Sequence, residues 1–295
     1  MKSRLVLGTA TYGQRNQSEV NLLLRTALES GITKIDTAHG YEGSEERIGF
    51  FLRNHNLFEV NTKVGLPDPS NFTPSGIRSS VEESLRRLGT ETLSTLFIHS
   101  LDARYLTEEN IDTMLLLKRE GKIQRIGYAG DNENLSIAVG IPAFDDFMAT
   151  YNIIDQSNRE SILRARSNSE IYYKLSMGQA VWTNLEWKRR IKSNEVIRLL
   201  FGKPPVPESW KDYSKRFSKF RREIFSGNFP ATFLRFALFS GSANQSVILG
   251  THSPDHIRFA ARIEQDHLNP ESLATSKYED LWLRKSSSGW RAHTG

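Results

Sequence analysis

The chain has 295 residues, no cysteine and a formal net charge of +5. That length fits one large barrel as well as two ordinary domains, and the lack of cysteine excludes disulfides, thiolate metal sites and thiol nucleophiles. No run approaches the roughly 18 apolar residues that cross a bilayer, and the opening MKSRLVLGTATYGQ meets Gly, Thr and Gln too soon for a signal peptide. A cytoplasmic protein without membrane association is therefore expected.

In chain order, short β-branched or apolar runs alternate with segments of helical period, the pattern of βα units on a parallel sheet. The first run, Leu5–Thr9, precedes a helix over about Ser18–Ser30, with Gly31 where a C-cap belongs. Lys34–Ala38 predicts a second strand and Ser44–Asn54 the helix after it. Glu59–Val64 predicts a third, and Thr73-Pro74, a cap followed by proline at the first helical position, opens the next helix. Thr95–His99, Ile123–Tyr128, Asp146–Thr150, Ile171–Leu175 and Ser246–Leu249 complete eight strands, with helices over Thr107–Glu120 and from Ser253-Pro254. This series predicts an α/β fold, a closed (β/α)8 TIM barrel that forms one domain over 1–295. A doubly wound nucleotide fold would need G-x-G-x-x-G after its first strand, and Gly8-Thr-Ala-Thr-Tyr-Gly13 is not that pattern. Residues 183–245 are too long for one βα connection. They predict a helical insertion after strand seven, with helices near Glu208–Phe225 and Pro230–Phe239 around the Lys203-Pro-Pro-Val-Pro207 break. Residues 271–295 read as a C-terminal tail, and Lys285–Gly289 within it as flexible.

Charge is unevenly spread. Trp187–Arg222 holds twelve Lys or Arg against three acidic residues. Such a run could attract an anionic or nucleotide-linked small molecule, but a solvated helix face explains it as well. No base-stacking module or zinc spacing accompanies it, so neither nucleic acid nor metal is expected.

In a βα barrel, functional groups collect at the C-terminal ends of the strands. Four polar residues stand there: Asp36 ends strand two, Tyr41 follows five residues later, Lys63 ends strand three and His99 ends strand four. Singly, each has an ordinary explanation as a helix cap, a solvated lysine or a core hydrogen-bond partner. Their convergence on three adjacent strand ends predicts one acid–base site. Gly250-Thr-His-Ser253 lies between strand eight and a helix N-terminus, where free N–H groups and the helix dipole favour an anion. Ser253 also reads as a plain N-cap, and Arg258 as either an anion contact or an exposed arginine.

The segment GITKIDTAHGYEGSEERIG (31–49) resembles the signature of the aldo-keto reductase superfamily around its catalytic Asp and Tyr. The NTKVG (61–65) and LFIHSLD (96–102) segments are similar to its other two catalytic positions. GKIQRIG (121–127) and VILGTHSPDHIR (247–258) are similar to the approach to its fifth strand and to its cofactor-phosphate segment. YNIIDQ (151–156) is similar to a bacterial branch associated with surface-sugar pathways.

The resemblance implies reduction of a carbonyl, in an aldehyde, ketone or sugar-derived compound, by hydride transfer from NADP(H) rather than NAD(H). Tyr41 is then the general acid, Lys63 and Asp36 its charged support, and His99 the group that orients the carbonyl. A phenol is a sluggish acid near neutrality, and a lysine ammonium ~4 Å away favours its anion by roughly 4 kcal/mol at an effective dielectric of ~20. Thr9, Asp36, Asn152, Gly250, Thr251, Ser253 and Arg258 are the candidate cofactor contacts. Several polar positions of the family pattern are altered: Ala129-Gly130 after strand five, Met148 on strand six, Lys174 or Leu175 after strand seven, and Phe259-Ala260 past Arg258. Asn132 or Asn152 could restore one of them. These changes leave two other readings open: a weakly active or regulatory cofactor-binding barrel, and a biosynthetic lyase or epimerase using Tyr41 and Lys63 as an acid–base pair. Trp182, Trp210, Trp282 and Trp290 are candidate pocket walls, with local packing as the simpler role.

Overall fold

The structure is a computed structural model that describes residues 2–55, 57–178, 208–224, 228–240 and 244–265. The strands are β1 (Leu5–Gly8), β2 (Lys34–Asp36), β3 (Glu59–Val64), β4 (Leu93–His99), β5 (Ile123–Ala129), β6 (Asp146–Thr150), β7 (Ile171–Lys174) and β8 (Gln245–Gly250). All neighbours pair in parallel, and β8 returns to β1, closing the barrel in sequence order. The helices are α1 (Gln17–Glu29), α2 (Ser44–Leu52), α3 (Pro74–Leu88), α4 (Glu108–Arg119), α5 (Asn132–Val139), α6 (Arg159–Arg164), α7 (Glu208–Ile224), α8 (Phe229–Phe239) and α9 (Pro254–Gln265).

Local chemistry sets several of these boundaries. Asn16 caps α1 through a capping box with Glu19, and Thr73 caps α3 ahead of Pro74. Gly89 ends α3 in the left-handed region at φ 66°. Two helices escape the periodic pattern: α5 has 8 residues and α6 has 6, too few turns to show a stripe. β2 stops at Asp36 instead of reaching Ala38, and β4 begins at Leu93, two residues before the expected start.

Strand alternation divides the residues between two cores. The outward set packs beneath the helices as the large apolar cluster, for example Leu7, Ile35, Ile98 and Val247. The inward set fills the barrel in layers. At the N-terminal end the fill is ionic. Asp146 accepts from Arg125 Nε at 2.7 Å and from the Thr95 hydroxyl at 3.0 Å, and Lys34 pairs with Glu170. The middle layer is apolar, built from Val6, Phe97, Met148 and Tyr172 with Ile248 against them. The next inward positions, at the C-terminal mouth, are Asp36, Lys63, His99 and Lys174.

Between β7 and β8, α7 and α8 pack on the barrel. Tyr213, Phe217 and Phe220 of α7 are buried, while Lys211, Lys215, Lys219 and Arg221 are exposed. The described part of the basic run is therefore an amphipathic helix with a charged outer face. Arg216 breaks that pattern. It is buried, with Nη1 2.9 Å from Asp155 Oδ2 and Nη2 2.8 Å from Asp212, while the Tyr213 hydroxyl donates to the same Asp155 oxygen at 2.9 Å. Residues 183–207, with Lys188, Arg189 and Arg190, the tail 271–295, Trp182, Trp282, Trp290 and the side chain of Trp210 lie outside the described residues. Among the described residues no helix is long and apolar enough to cross a membrane, and no cluster of His, Asp or Glu could hold a metal ion.

Removing one member of a buried ion pair leaves the other charge uncompensated, typically at about 3–5 kcal/mol. Arg216→Ala should therefore lower the unfolding free energy at neutral pH by that order, read from urea denaturation. Burial already pushes the Asp155 carboxyl up against the pull of Arg216. Without Arg216 it rises further, so the deficit should shrink as pH falls and the carboxyl takes up a proton. A deficit independent of pH would show that the lost packing of the side chain, not the stranded carboxylate, dominates.

Candidate active site

The mouth of the barrel encloses a cavity of about 660 Å³. Asp36, Tyr41, Lys63 and His99 all line it, as do Thr9, Gly250 and Thr251. Asp36 and Lys63 occupy inward positions on adjacent strands, where alternation brings their side chains together in the low-dielectric interior. Lys63 Nζ lies 2.6 Å from Asp36 Oδ2 and donates to the Thr37 carbonyl at 2.7 Å. It also lies 5.1 Å from the centre of the Tyr41 ring. The Tyr41 ring in turn meets His99 edge to face, with centroids 5.6 Å apart and planes at 84°.

The loop carrying Tyr41 is clamped from both sides by close backbone approaches. A Cβ on Gly13 would sit 1.7 Å from the Glu42 carbonyl oxygen, and one on Gly40 would sit 2.5 Å from that of Leu66. Only glycine lets the chains meet this closely. Backbone bonds from Tyr41 N to Ala38 O and from Ser44 N to Tyr41 O, both 2.9 Å, tighten the turn. Thr9 braces the floor: its hydroxyl donates to the Asp36 carbonyl at 3.0 Å and accepts from Ser44 Oγ at 3.1 Å.

Burial opposes charge on Lys63, but the Asp36 carboxylate and Tyr41 outweigh it and hold its pKa above the usual lysine value. Burial pushes the Asp36 carboxyl up, against the pull of Lys63 and, across the mouth, of Lys174. Burial and the two lysines together drive His99 down to about 3, so its ring is neutral at physiological pH. His99 Nδ1 and Asp36 Oδ1 are both buried without a hydrogen-bond partner among the described residues. With its proton on Nε2, the ring can donate into the cavity.

Three expected contacts sit elsewhere. Asn152 is fully buried behind the end of β7, where its amide donates to the Leu175 carbonyl at 3.0 Å and its oxygen accepts from Ile154 N at 3.0 Å. It supports the wall without forming it. Ser253 stands at the start of α9, its N–H turned back to the Thr251 hydroxyl at 3.2 Å. Arg258, half exposed on α9, pairs with Asp255 at 3.2 Å, away from the lining. Asn132, the other candidate to restore a polar contact, takes φ 57° at the start of α5 and donates its N–H to Asn158 Oδ1 at 2.8 Å. Ala129 and Met148 do face the cavity, which makes this part of the wall apolar. Lys174 and Leu175 both line it too, with His252 of the Gly250–Ser253 segment and with Thr11 and Ser176, which were not singled out from the sequence.

Comparison with known proteins agrees with this architecture. The Aldo/keto reductase family model matches residues 4–203. Aldo-keto reductase YhdN of Bacillus subtilis is 28% identical over 57% of this chain and 56% of its own length, so the alignment spans about half of that relative. A solved structure from Pseudomonas aeruginosa, of a protein assigned to the aldo-keto reductases, is 26% identical. It superposes with a TM-score of 0.66 over 90% of this chain and 92% of its own. An aldo/keto reductase from Klebsiella pneumoniae, solved with NADP and acetate, shares the fold at 19% identity and a TM-score of 0.64, covering 95% of this chain and 91% of its own. With the family model covering well over half of its length, this chain belongs to the aldo/keto reductase family.

Proposed function

We propose that the protein is an NADP(H)-dependent oxidoreductase that reduces an aldehyde or ketone, sugar-derived carbonyls included, to the alcohol, with Tyr41 as the general acid. The observation that carries this reading is the buried Lys63 ammonium, held between the Asp36 carboxylate at 2.6 Å and the Tyr41 ring at 5.1 Å. A cation fixed there is placed to stabilise the negative charge left when the hydroxyl gives up its proton. The Tyr41 proton passes to the carbonyl oxygen, and the phenolate left behind is stabilised by Lys63 until solvent reprotonates it. Neutral His99 donates from Nε2 to the same oxygen and fixes its position between the two donors.

The residues present fit a nicotinamide cofactor. The cavity is large enough for a ring and a substrate, Asp36 Oδ1 is left to accept from a donor on a ligand, and a Cβ at Gly250 would meet nothing within 4 Å. Thr9, Gly250 and Thr251, which line the cavity, would hold it, and when bound it supplies the hydride to the carbonyl carbon. The preference for NADP(H) draws on the Klebsiella pneumoniae structure above, solved with NADP. Arg258 pairs with Asp255 through Nη1 alone, which leaves further N–H donors for a 2′-phosphate.

Titration followed by nicotinamide fluorescence should show NADPH binding more tightly than NADH, and binding of neither would overturn the redox reading. Tyr41→Phe should lower turnover of a carbonyl substrate by about 10²–10⁴-fold while NADPH still binds. Turnover within a few-fold of the unaltered protein would remove Tyr41 from the mechanism.

His99 has the lower pKa in the folded state, about 3, against about 6.5 for a free histidine. The unfolded chain therefore takes up more protons, and this group's contribution to stability declines as pH falls from about 6.5 toward 3. In proton NMR, the His99 ring signal, assigned by its loss in His99→Gln, should stay constant from pH 8 to about 4.5. A midpoint near 6.5 would contradict a neutral hydrogen-bond donor.

A further inference from the structure

The cavity holds a second lysine that the acid–base set leaves unused. β7 points Tyr172 into the apolar interior layer, and two residues later Lys174 rises from the same face into the mouth. Its ammonium lies 2.8 Å from Asp131 Oδ2, with the two side chains 15% and 0% exposed. Asp131 is already well supplied with donors. Its Oδ1 accepts from Thr150 N and from Asn158 Nδ2, both at 2.7 Å, and its Oδ2 accepts from the Thr150 hydroxyl at 3.2 Å. The carboxylate is turned toward those donors and does not line the cavity, whereas the lysine does.

An ammonium has three N–H donors, and among the described residues Asp131 is the single ion-pair partner of this one. Two donors therefore remain for a ligand. The charge is felt across the mouth, since it lowers the proton affinity of both His99 and Asp36. Lys63, the other cationic side chain in the described lining, is engaged by Asp36 and the Thr37 carbonyl. The acid–base end of the cavity thus offers one cation with free donors. That matches a carboxylate, a monoanion; a phosphate dianion would call for a second.

We propose that Lys174 is a specificity residue that receives a carboxylate of the substrate, so that this site prefers carbonyl compounds carrying a carboxylate over neutral ones of the same size. The proposal rests on the carbonyl-reducing reading above and names the substrate class for it. The competing role is an ionic strut tying the end of β7 to residue 131 across β6. A strut would affect stability and every substrate alike.

The test compares kcat/KM for 4-carboxybenzaldehyde and for its methyl ester, with NADPH, in the unaltered protein, Lys174→Met and Lys174→Arg. The acid should be favoured by about tenfold or more, the usual worth of a charge-assisted hydrogen bond. The acid-to-ester ratio should fall at least tenfold in Lys174→Met and recover in part in Lys174→Arg. Reduction of the ester with no preference for the acid, or a ratio unchanged in Lys174→Met, would overturn the proposal and leave the reductase reading standing. Calorimetric titration with benzoate supplies a readout free of turnover. Binding that is lost in Lys174→Met would support the proposal even if neither aldehyde were reduced, in which case the reductase reading alone fails. Equal benzoate binding by both proteins, or none by the unaltered protein, would overturn it.

Discussion

The ion pair between Lys63 and Asp36 is the constraint on which the rest of the mouth depends. Taking two charges out of water carries a penalty of several kcal/mol per ion, recovered only where geometry is good and remaining donors are satisfied. Here the separation is 2.6 Å, and a second ammonium proton goes to the Thr37 carbonyl. The pair in turn needs Asp36 held still, which is the work of Thr9 and Ser44 beneath it. Tyr41 is placed by a different device, the close contacts at Gly13 and Gly40. Side-chain electrostatics and backbone packing therefore converge on one point from opposite sides of the same loop.

The two ends of the barrel use similar residue types to different ends. At the N-terminal end, Asp146 accepts from Arg125, from Thr95 and from the Glu170 N–H, so its oxygens are occupied and the layer closes the barrel. At the C-terminal end, Asp36 keeps one oxygen without a partner among the described residues. Buried polar atoms normally find partners, so this oxygen, on a residue that lines the cavity, is available to a donor on a bound ligand. The apolar layer of Val6, Phe97, Met148 and Tyr172 separates the two, insulating the open end from the saturated one.

Much of this was legible in the sequence. Eight apolar runs with helical stretches between them carry the barrel, and the strand-end rule places Asp36, Lys63 and His99 together without knowledge of any distance. What stayed hidden depends on register and on contacts between distant segments. Asn152 sits at the end of a strand, as a site residue would, but the turn that pairs it with Asp155 directs its amide to the back of Leu175. Arg216 belongs to a run that reads as surface charge, and its burial among exposed lysines becomes visible only when Asp155 is seen across from it. Lys174 showed in the sequence as a departure from a pattern; its meaning comes from Asp131, 43 positions earlier and on the far side of β6.

Charge balance ties these parts together. Two lysines and two carboxylates, Lys63 with Asp36 and Lys174 with Asp131, leave the described part of the mouth neutral. A protonated His99 would add a third cation to an enclosure with no third carboxylate among the described residues, and burial and the two lysines hold the ring neutral. A neutral imidazole still keeps one N–H to offer. The surplus that the site can accept is therefore negative, and in the proposed reaction the groups that accept it are already in place: the Tyr41 hydroxyl and His99 for a carbonyl oxygen gaining electron density, Lys63 behind the phenolate. Because these dipoles and charges are fixed before substrate arrives, little reorganisation is needed when the charge develops. A barrel mouth built this way favours chemistry that places negative charge on oxygen, which reduction of a carbonyl does.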